Sequence, residues 1–372
     1  MPGRNLYLRE TIDPILEADG TPTLVIDKKL IRGKYQEFHS QFNNAKIYYA
    51  LKANPHPGIV KLLQELGCDF EISSQGELEL LLQLEVPPRR IILGNPVKES
   101  AFIEQAYTKG IKQFAFDSYP EIEKLSRYAP GSRVSVRLAV PNDGSEWPLS
   151  QKFGVEAEEA AQLLVQAKKN GLKPYGITFH VGSQCTRATT WAKAIDKSRV
   201  VWESAANKGI QLHLLNIGGG FPIEYTKPVP SIEEIAQVIQ ESVTKSFPKN
   251  MVLEIAPGRA LVGEAGILAA TVIAKAVRAS KTWLYLDIGV FNGLMETVGG
   301  IKYRILTKRA GRKTNLTLAG PSCDSFDVIS TEMRLPELEV GDRIYIMSAG
   351  AYTTAYASQF DGFRIPTIRY TE

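Results

Sequence analysis

AKIYYALKANP, residues 45–55, decides how the rest of the chain reads. An apolar, β-rich run ends in a lysine and a proline-bearing turn. HPGIVKLLQELG (56–67) follows with apolar residues at helical spacing. A strand that is apolar continuously, rather than at alternate positions, is covered on both faces, as in a parallel sheet. The same unit recurs in CDFEISS (68–74), RIILGNP (90–96), QFAFDS (113–118), RVSVRLAV (133–140), YGITFHVG (175–182), HLLNIGGGF (213–221) and VLEIAPGR (252–259). The connecting stretches read as helices. QGELELLLQLE repeats the apolar spacing, VEAEEAAQLLVQAKKNG has acids first, bases last and a closing glycine, and SIEEIAQVIQESVTKSF opens with the capping pair Ser231 and Glu234. Eight strand–helix alternations predict a (βα)8 barrel over residues 26–262. A doubly wound sheet shares the periodicity, and the number of units favours closure.

After Arg259 the rhythm changes. ATVIAKAV, TWLYLDIGVF, TNLTLAG, FDVIST and DRIYIMSAG are strand-like, with glycine-rich connections and no comparable helices. They predict an antiparallel β domain, sandwich- or barrel-like, made of residues 1–25 and 263–372. TPTLVIDKKL (21–30) is expected to lead into the barrel.

Composition narrows the function. The chain has 372 residues, 44% hydrophobic, with 44 Lys+Arg against 40 Asp+Glu, and no basic run suggests a nucleic-acid partner. Three separated cysteines, Cys68, Cys185 and Cys323, fit neither a disulfide framework nor zinc, and point to a reducing compartment. The four histidines, His39, His56, His180 and His213, lack metal-ligand spacing, so no metal is expected. MPGRNLYLRETIDP lacks the apolar stretch of a signal peptide, and no window approaches a membrane span. The expectation is a cytoplasmic protein without a membrane partner.

Barrel active sites form where strands end. Lys52 ends the first strand, where a Schiff-base lysine would point into the barrel mouth, although a lone lysine is usually a surface residue. Gly218-Gly219-Gly220 closes the seventh strand, and consecutive glycines let backbone N–H groups converge on an anion. Arg259, after the eighth strand, adds a bidentate phosphate donor. His180 could stack on a flat cofactor, with the Ser183 hydroxyl reaching its phosphate. A lysine, an arginine and a glycine nest on one rim suit pyridoxal 5'-phosphate. A phosphosugar enzyme would share the nest but would not require Lys52.

YALKANP, FHVGSQ, NIGGGFP, PGRALV, GPSCDSFD and GAYTTAYASQFDGF stand in the order found in the ornithine/lysine decarboxylase family, the fold-type III pyridoxal-phosphate enzymes. The chain resembles that family from about residue 22 onward. The resemblance implies an alanine-racemase-like barrel with a C-terminal β domain, and a homodimer with shared active sites. It makes Lys52 the cofactor lysine and His180 the ring-stacking residue. Ser183, Gly219, Gly220, Gly258, Arg259 and Tyr352 would hold the phosphate, with Glu71 and Arg137 completing the cofactor site. Cys323, from the partner subunit, would return a proton to Cα. Asp324 would pair with the distal ammonium of a diamino acid, and Phe360 would wall the interface.

Three departures stand out. Ala256 occupies the place of the glutamate that relatives set on the pyridinium nitrogen, with Glu254 on the same strand face about 6–7 Å further down. FNGLMETVGGIKYRI (291–305) lacks an acid near Gly299-Gly300, leaving Glu296 as the nearest one for the substrate's far end. Glu71 stands where many relatives have aspartate. The expected function is decarboxylation of a basic amino acid, L-ornithine or L-lysine, as in polyamine biosynthesis. Two alternatives remain: decarboxylation of a bulkier amino-acid conjugate in siderophore or other natural-product biosynthesis, and an inactive homologue acting as a regulator.

Overall fold

The computed structural model describes residues 6–149 and 152–372, in two compact units. One comprises residues 34–222 and 229–258; the other comprises 1–33, 223–228 and 259–372, of which the first five lie outside the described residues.

The first unit is a closed parallel barrel. Its strands are Ala45–Ala50, Asp69–Ile72, Ile91–Leu93, Gln113–Phe116, Arg133–Arg137, Lys173–Thr178, Leu214–Asn216 and Val252–Ile255, each hydrogen-bonded to the next. The ring shuts where the last pairs with the first, Ile255 opposite Ile47. These are the eight predicted runs, and closure excludes the doubly wound sheet. Close approach sets local residue choice: a Cβ on Gly176 would lie 2.5 Å from the Leu214 carbonyl oxygen of the neighbouring strand. Outside the seventh strand, Phe221 packs in an aromatic cluster with Phe38, Phe42 and Trp191, at ring separations of 5.1, 5.7 and 5.3 Å. Clusters of this kind combine large apolar burial with edge-to-face or offset contacts.

The second unit is built on an eight-stranded sheet. Gly266–Arg278 is its long central strand, flanked by Lys281–Leu286 and Arg343–Ile346. Thr314–Ala319, Val328–Leu335 and Ile305–Thr307 extend it. The sheet is mixed, which corrects the antiparallel expectation: Lys281–Leu286 runs parallel to Thr314–Ala319, and Thr23–Asp27 parallel to Thr367–Thr371. A second correction concerns residues 21–30. Thr23–Asp27 joins this sheet, pairing also with Gly266–Ala269, because its buried apolar residues complete the core formed by Leu8, Ile12, Leu16, Ile267 and Tyr345. The compact unit therefore reaches residue 33 rather than 25. Among the described residues no helix is long and apolar enough to cross a membrane.

Candidate active site

The carboxyl ends of all eight barrel strands share one rim, and most of the predicted barrel residues lie there. Lys52 sits on a single helical turn, Leu51–Ala53, directly after the first strand, with its side chain exposed. That turn is held against the end of the eighth strand: Ala50 N–H donates to the Pro257 carbonyl at 3.2 Å, and a Cβ on Gly258 would come within 3.0 Å of the Ala53 Cβ. Gly258 thus earns its place by proximity to the lysine turn.

Glu71, Arg137 and His180 form one electrostatic group with Lys52. Burial raises the Glu71 carboxyl above its ordinary value, opposed by the charges of Lys52 and Arg137. Burial lowers Arg137, opposed by Glu71 and Asp117. His180 is driven well below its ordinary value by burial and then by the cations Arg137 and Lys52. It is a neutral ring. Its Nδ1 accepts the Gly182 N–H at 3.0 Å, which places the remaining proton on Nε2.

The glycine turn is tight on every side. Cβ atoms would lie 2.2 Å from the Phe179 carbonyl oxygen at Gly218, 2.6 Å from that of Ala256 at Gly219, and 2.4 Å from that of Gly182 at Gly220. Gly218 and Gly220 also have φ of +64° and +97°, so neither tolerates a side chain. At Gly219 the same Cβ would meet His180 Nε2 at 3.3 Å, so turn and imidazole adjoin. Ser183 opens a short strand, Ser183–Cys185, paired with Ser145–Trp147.

Glu254 is 2% exposed inside the barrel. It accepts Gln113 Nε2 at 2.9 Å and Asn216 Nδ2 at 3.1 Å, and burial pushes it up to about 7 against those bonds. Ala256 is buried and offers no polar side-chain group.

The other predicted residues belong to the second unit. Arg259 is 4% exposed, and Glu296 grips it with both oxygens, at 2.5 and 2.6 Å. Tyr225 lies 2.5 Å from Nη1, and the Tyr352 ring centroid is 4.8 Å from the guanidinium carbon. Burial works against the guanidinium charge, but Tyr225, Glu296 and Tyr352 more than offset it and raise Arg259 well above its ordinary value. Glu296, read from the sequence as an acid for the substrate's far end, is 3% exposed and committed to Arg259. Its carboxylate is a buried counter-ion to the guanidinium.

Cys323, Asp324 and Phe360 are exposed in the same unit. The Cys323 thiol donates to Asp361 Oδ2 at 3.3 Å, and this bond, then the charge of Asp361, raises the thiol above its ordinary value. Asp324 Oδ1 accepts the Phe326 N–H at 2.8 Å. Phe360 packs on Phe291 with ring centroids 4.7 Å apart and planes tilted by 45°, and Phe291 also meets Phe326 at 6.3 Å. Asp361, Tyr225, Asn216 and Gln113 were absent from the sequence reading. Asp361, Asn216 and Gln113 lay inside quoted stretches with no role assigned to them; Tyr225 is brought in only by tertiary contact.

A rim lysine, a flat neutral imidazole and a glycine turn closed to any Cβ fit a flat, phosphate-bearing aldehyde. Residues 28–263 match the model for the pyridoxal-binding domain of pyridoxal-dependent decarboxylases. A lysine/ornithine decarboxylase of Selenomonas ruminantium is 35% identical over 95% of this chain and 90% of its own. Antizyme inhibitor 2 of Xenopus laevis is 36% identical over 91% of this chain and 78% of its own. Among solved structures, lysine/ornithine decarboxylase of Vibrio vulnificus complexed with cadaverine superposes with a TM-score of 0.91 and 33% identity, covering 97% of both chains. Barrel and sheet thus agree with the comparisons, and the chain belongs to the pyridoxal-dependent decarboxylases of the lysine/ornithine type.

Proposed function

We propose that this protein decarboxylates L-lysine or L-ornithine, releasing carbon dioxide and the diamine, in a cytoplasmic homodimer serving polyamine biosynthesis. The observation that carries the reading is the grouping of Lys52, Glu71, Arg137 and His180 beside a glycine turn. Pyridoxal 5'-phosphate, when bound, supplies the electron sink for the bond between Cα and the carboxylate. Lys52 would be the residue that anchors the cofactor through its aldehyde. His180, neutral at its Nδ1, packs on the ring without adding charge. Gly219, Gly220, Ser183 and Gly258 would hold the phosphate, a role the family resemblance also gives to Arg259 and Tyr352. Cys323, supplied by the partner subunit, protonates Cα. Asp324 attracts the distal ammonium, and Phe360 excludes water at the interface. Glu71 and Arg137 balance the lysine's charge.

The test is amine detection by mass spectrometry after incubation with pyridoxal 5'-phosphate and lysine, ornithine, arginine or an N-acylated or citryl-linked diamino acid. Release of cadaverine or putrescine is expected, and Asp324→Ala should lower kcat/KM for free diamino acids by about tenfold or more. An unchanged rate in that variant overturns the role of Asp324.

One observation favours the conjugate reading. Gly300 borders a cavity of about 680 Å³ within the second unit, with Thr297, Lys302, Ser325 and Phe326 on its walls. Turnover of a conjugate alone would replace the free diamino acid as substrate. The antizyme-inhibitor relative supports the regulatory reading, which requires silence across the whole panel despite bound cofactor.

A further inference from the structure

Glu254 takes no part in the chemistry proposed above, yet it sits at the head of a directional hydrogen-bond chain. Its Oε2 receives both Gln113 Nε2 and Asn216 Nδ2, and the carboxylate adds to the burial that raises the nearby Tyr48 hydroxyl. Oε2 takes two N–H groups and so acts as an acceptor whether or not the carboxyl carries a proton on its other oxygen, which fixes the end of each neighbouring amide that faces it. With Nδ2 of Asn216 held by Glu254, Oδ1 points the other way and accepts the Gly218 N–H at 2.8 Å. Asn216 is 4% exposed, so no bulk water competes for either end. A flipped amide would set donor against donor at Gly218 and acceptor against carboxylate at Glu254. Each buried mismatch of that kind is costly.

Gly218 is where the glycine turn starts, and its φ of +64° and the nearby Phe179 carbonyl leave the turn little freedom. The far end is fixed too, because Phe221 is buried in its aromatic cluster. Between the two ends lie Gly219 and Gly220; the Gly218 and Gly220 carbonyls also accept the Ala256 and Cys185 N–H groups at 2.8 Å each, so Asn216 sets the entry to a turn that backbone bonds hold at two further points.

We propose that Glu254, acting through Asn216, is a positioning residue that sets the glycine turn for the cofactor's phosphate. The inference rests on the reading that Gly219 and Gly220 hold that phosphate. Glu254 does not touch the cofactor in this scheme; it orients an amide that orients a turn. Tyr48 and Gln113 complete the carboxylate's partners, so the assignment depends on acceptor geometry rather than on charge.

Equilibrium binding separates the possibilities. Pyridoxal 5'-phosphate and pyridoxal both react with Lys52, so the ratio of their dissociation constants, read by absorbance titration of the cofactor-free protein, isolates the phosphate. Glu254→Gln presents Oε1 to both amides and should keep the wild-type ratio. Glu254→Leu and Asn216→Leu should each lower the preference for the phosphorylated form by about tenfold, and the double variant no further than either single one. Wild-type ratios in both leucine variants would overturn the proposal, as would a Glu254→Gln ratio as low as that of Glu254→Leu. If Glu254→Leu does not fold, Asn216→Ala, which removes the amide and leaves Glu254 in place, decides on the same criterion.

Gly219→Ala keeps the underlying reading separate, since its Cβ would meet the Ala256 carbonyl oxygen at 2.6 Å and displace the turn. A wild-type ratio in Gly219→Ala places the phosphate elsewhere and removes the reading itself. A lowered ratio there, with wild-type ratios in the leucine variants, removes only the role of Glu254 and Asn216.

Discussion

Asp361 sets the acidity of Cys323. A thiol serves as a proton donor only while it keeps its proton, and a carboxylate 3.3 Å away disfavours the thiolate. The raised thiol should show as slow alkylation: Asp361→Asn is expected to move the onset of iodoacetamide labelling at Cys323 to lower pH. Mass spectrometry of the labelled peptide reads it cleanly, because Cys68 and Cys185 are buried. An onset unchanged by the substitution would separate Asp361 from the thiol. Arg259 and Glu296 pose the opposite problem, two charges removed from water together. Removing one partner of such a pair typically costs about 3–5 kcal/mol, since the other charge is left buried. Glu296→Ala should therefore lose stability on that scale in urea unfolding, whereas Glu296→Gln, which keeps an acceptor oxygen, should lose less. The sequence named both residues but could not pair them, since 37 positions separate them and only the folded sheet unit brings them together.

At the level of elements, the loop carrying Cys323 and Asp324 is organised by a residue outside the catalytic proposal. Asp327 is 3% exposed, and its carboxylate accepts the N–H groups of Val290 at 2.7 Å and Ser322 at 3.0 Å. Gly289 and Gly320 make room for it: a Cβ on either would lie 2.1–2.3 Å from its Oδ1. Asp327→Ala strands two backbone donors, each worth about 1–3 kcal/mol when left unmet. Faster hydrogen exchange at Val290 and Ser322 should accompany a lower kcat; wild-type protection at both amides would show that other contacts hold the loop. Elements of this kind were unevenly legible. The barrel strands could be read because each is a short apolar run followed by a helix of distinct periodicity. Strand direction in the second unit could not, because parallel and antiparallel neighbours use the same β-rich residues and differ only in which distant segment they meet. TPTLVIDKKL shows the same gap: its apolar run declares a strand, and only its partners at Gly266–Ala269 and Thr367–Thr371 declare the sheet.

For the molecule as a whole, Glu254 links stability to pH. Its folded value of about 7 lies above the ordinary 4.5, so between those limits the folded protein holds a proton that the unfolded chain has released. Stability from this group is complete below the lower value and declines as pH rises through 7. The charges of Lys46 and Glu71 act on the same carboxylate, which in turn adds to the burial that raises Tyr48. Glu254→Gln has no proton to lose there, so its melting temperature relative to wild type should climb from about pH 5 to about pH 8. A constant difference would mean that the carboxylate titrates normally. Lys98 has the opposite sign, lowered to about 8 by burial despite its 2.8 Å pair with Glu121, and contributes more stability as pH rises above that value. The rim of the site was legible because lysine, glycine and histidine follow strands in recognisable motifs. The polar interior beneath it was not, since Asn216, Gln113 and Glu254 lie on three strands whose neighbourhood exists only after the barrel closes.

The pairing of Thr23–Asp27 with Gly266–Ala269 and Thr367–Thr371 also has a consequence for synthesis on the ribosome. Every barrel strand has emerged by Ile255, while this early strand still waits for both of its neighbours. Its apolar edge needs shelter during that interval, so the nascent chain presents a finished cylinder and an unmatched ribbon at the same time. Stalled chains ending between the two partner strands would be the stage most prone to chaperone capture.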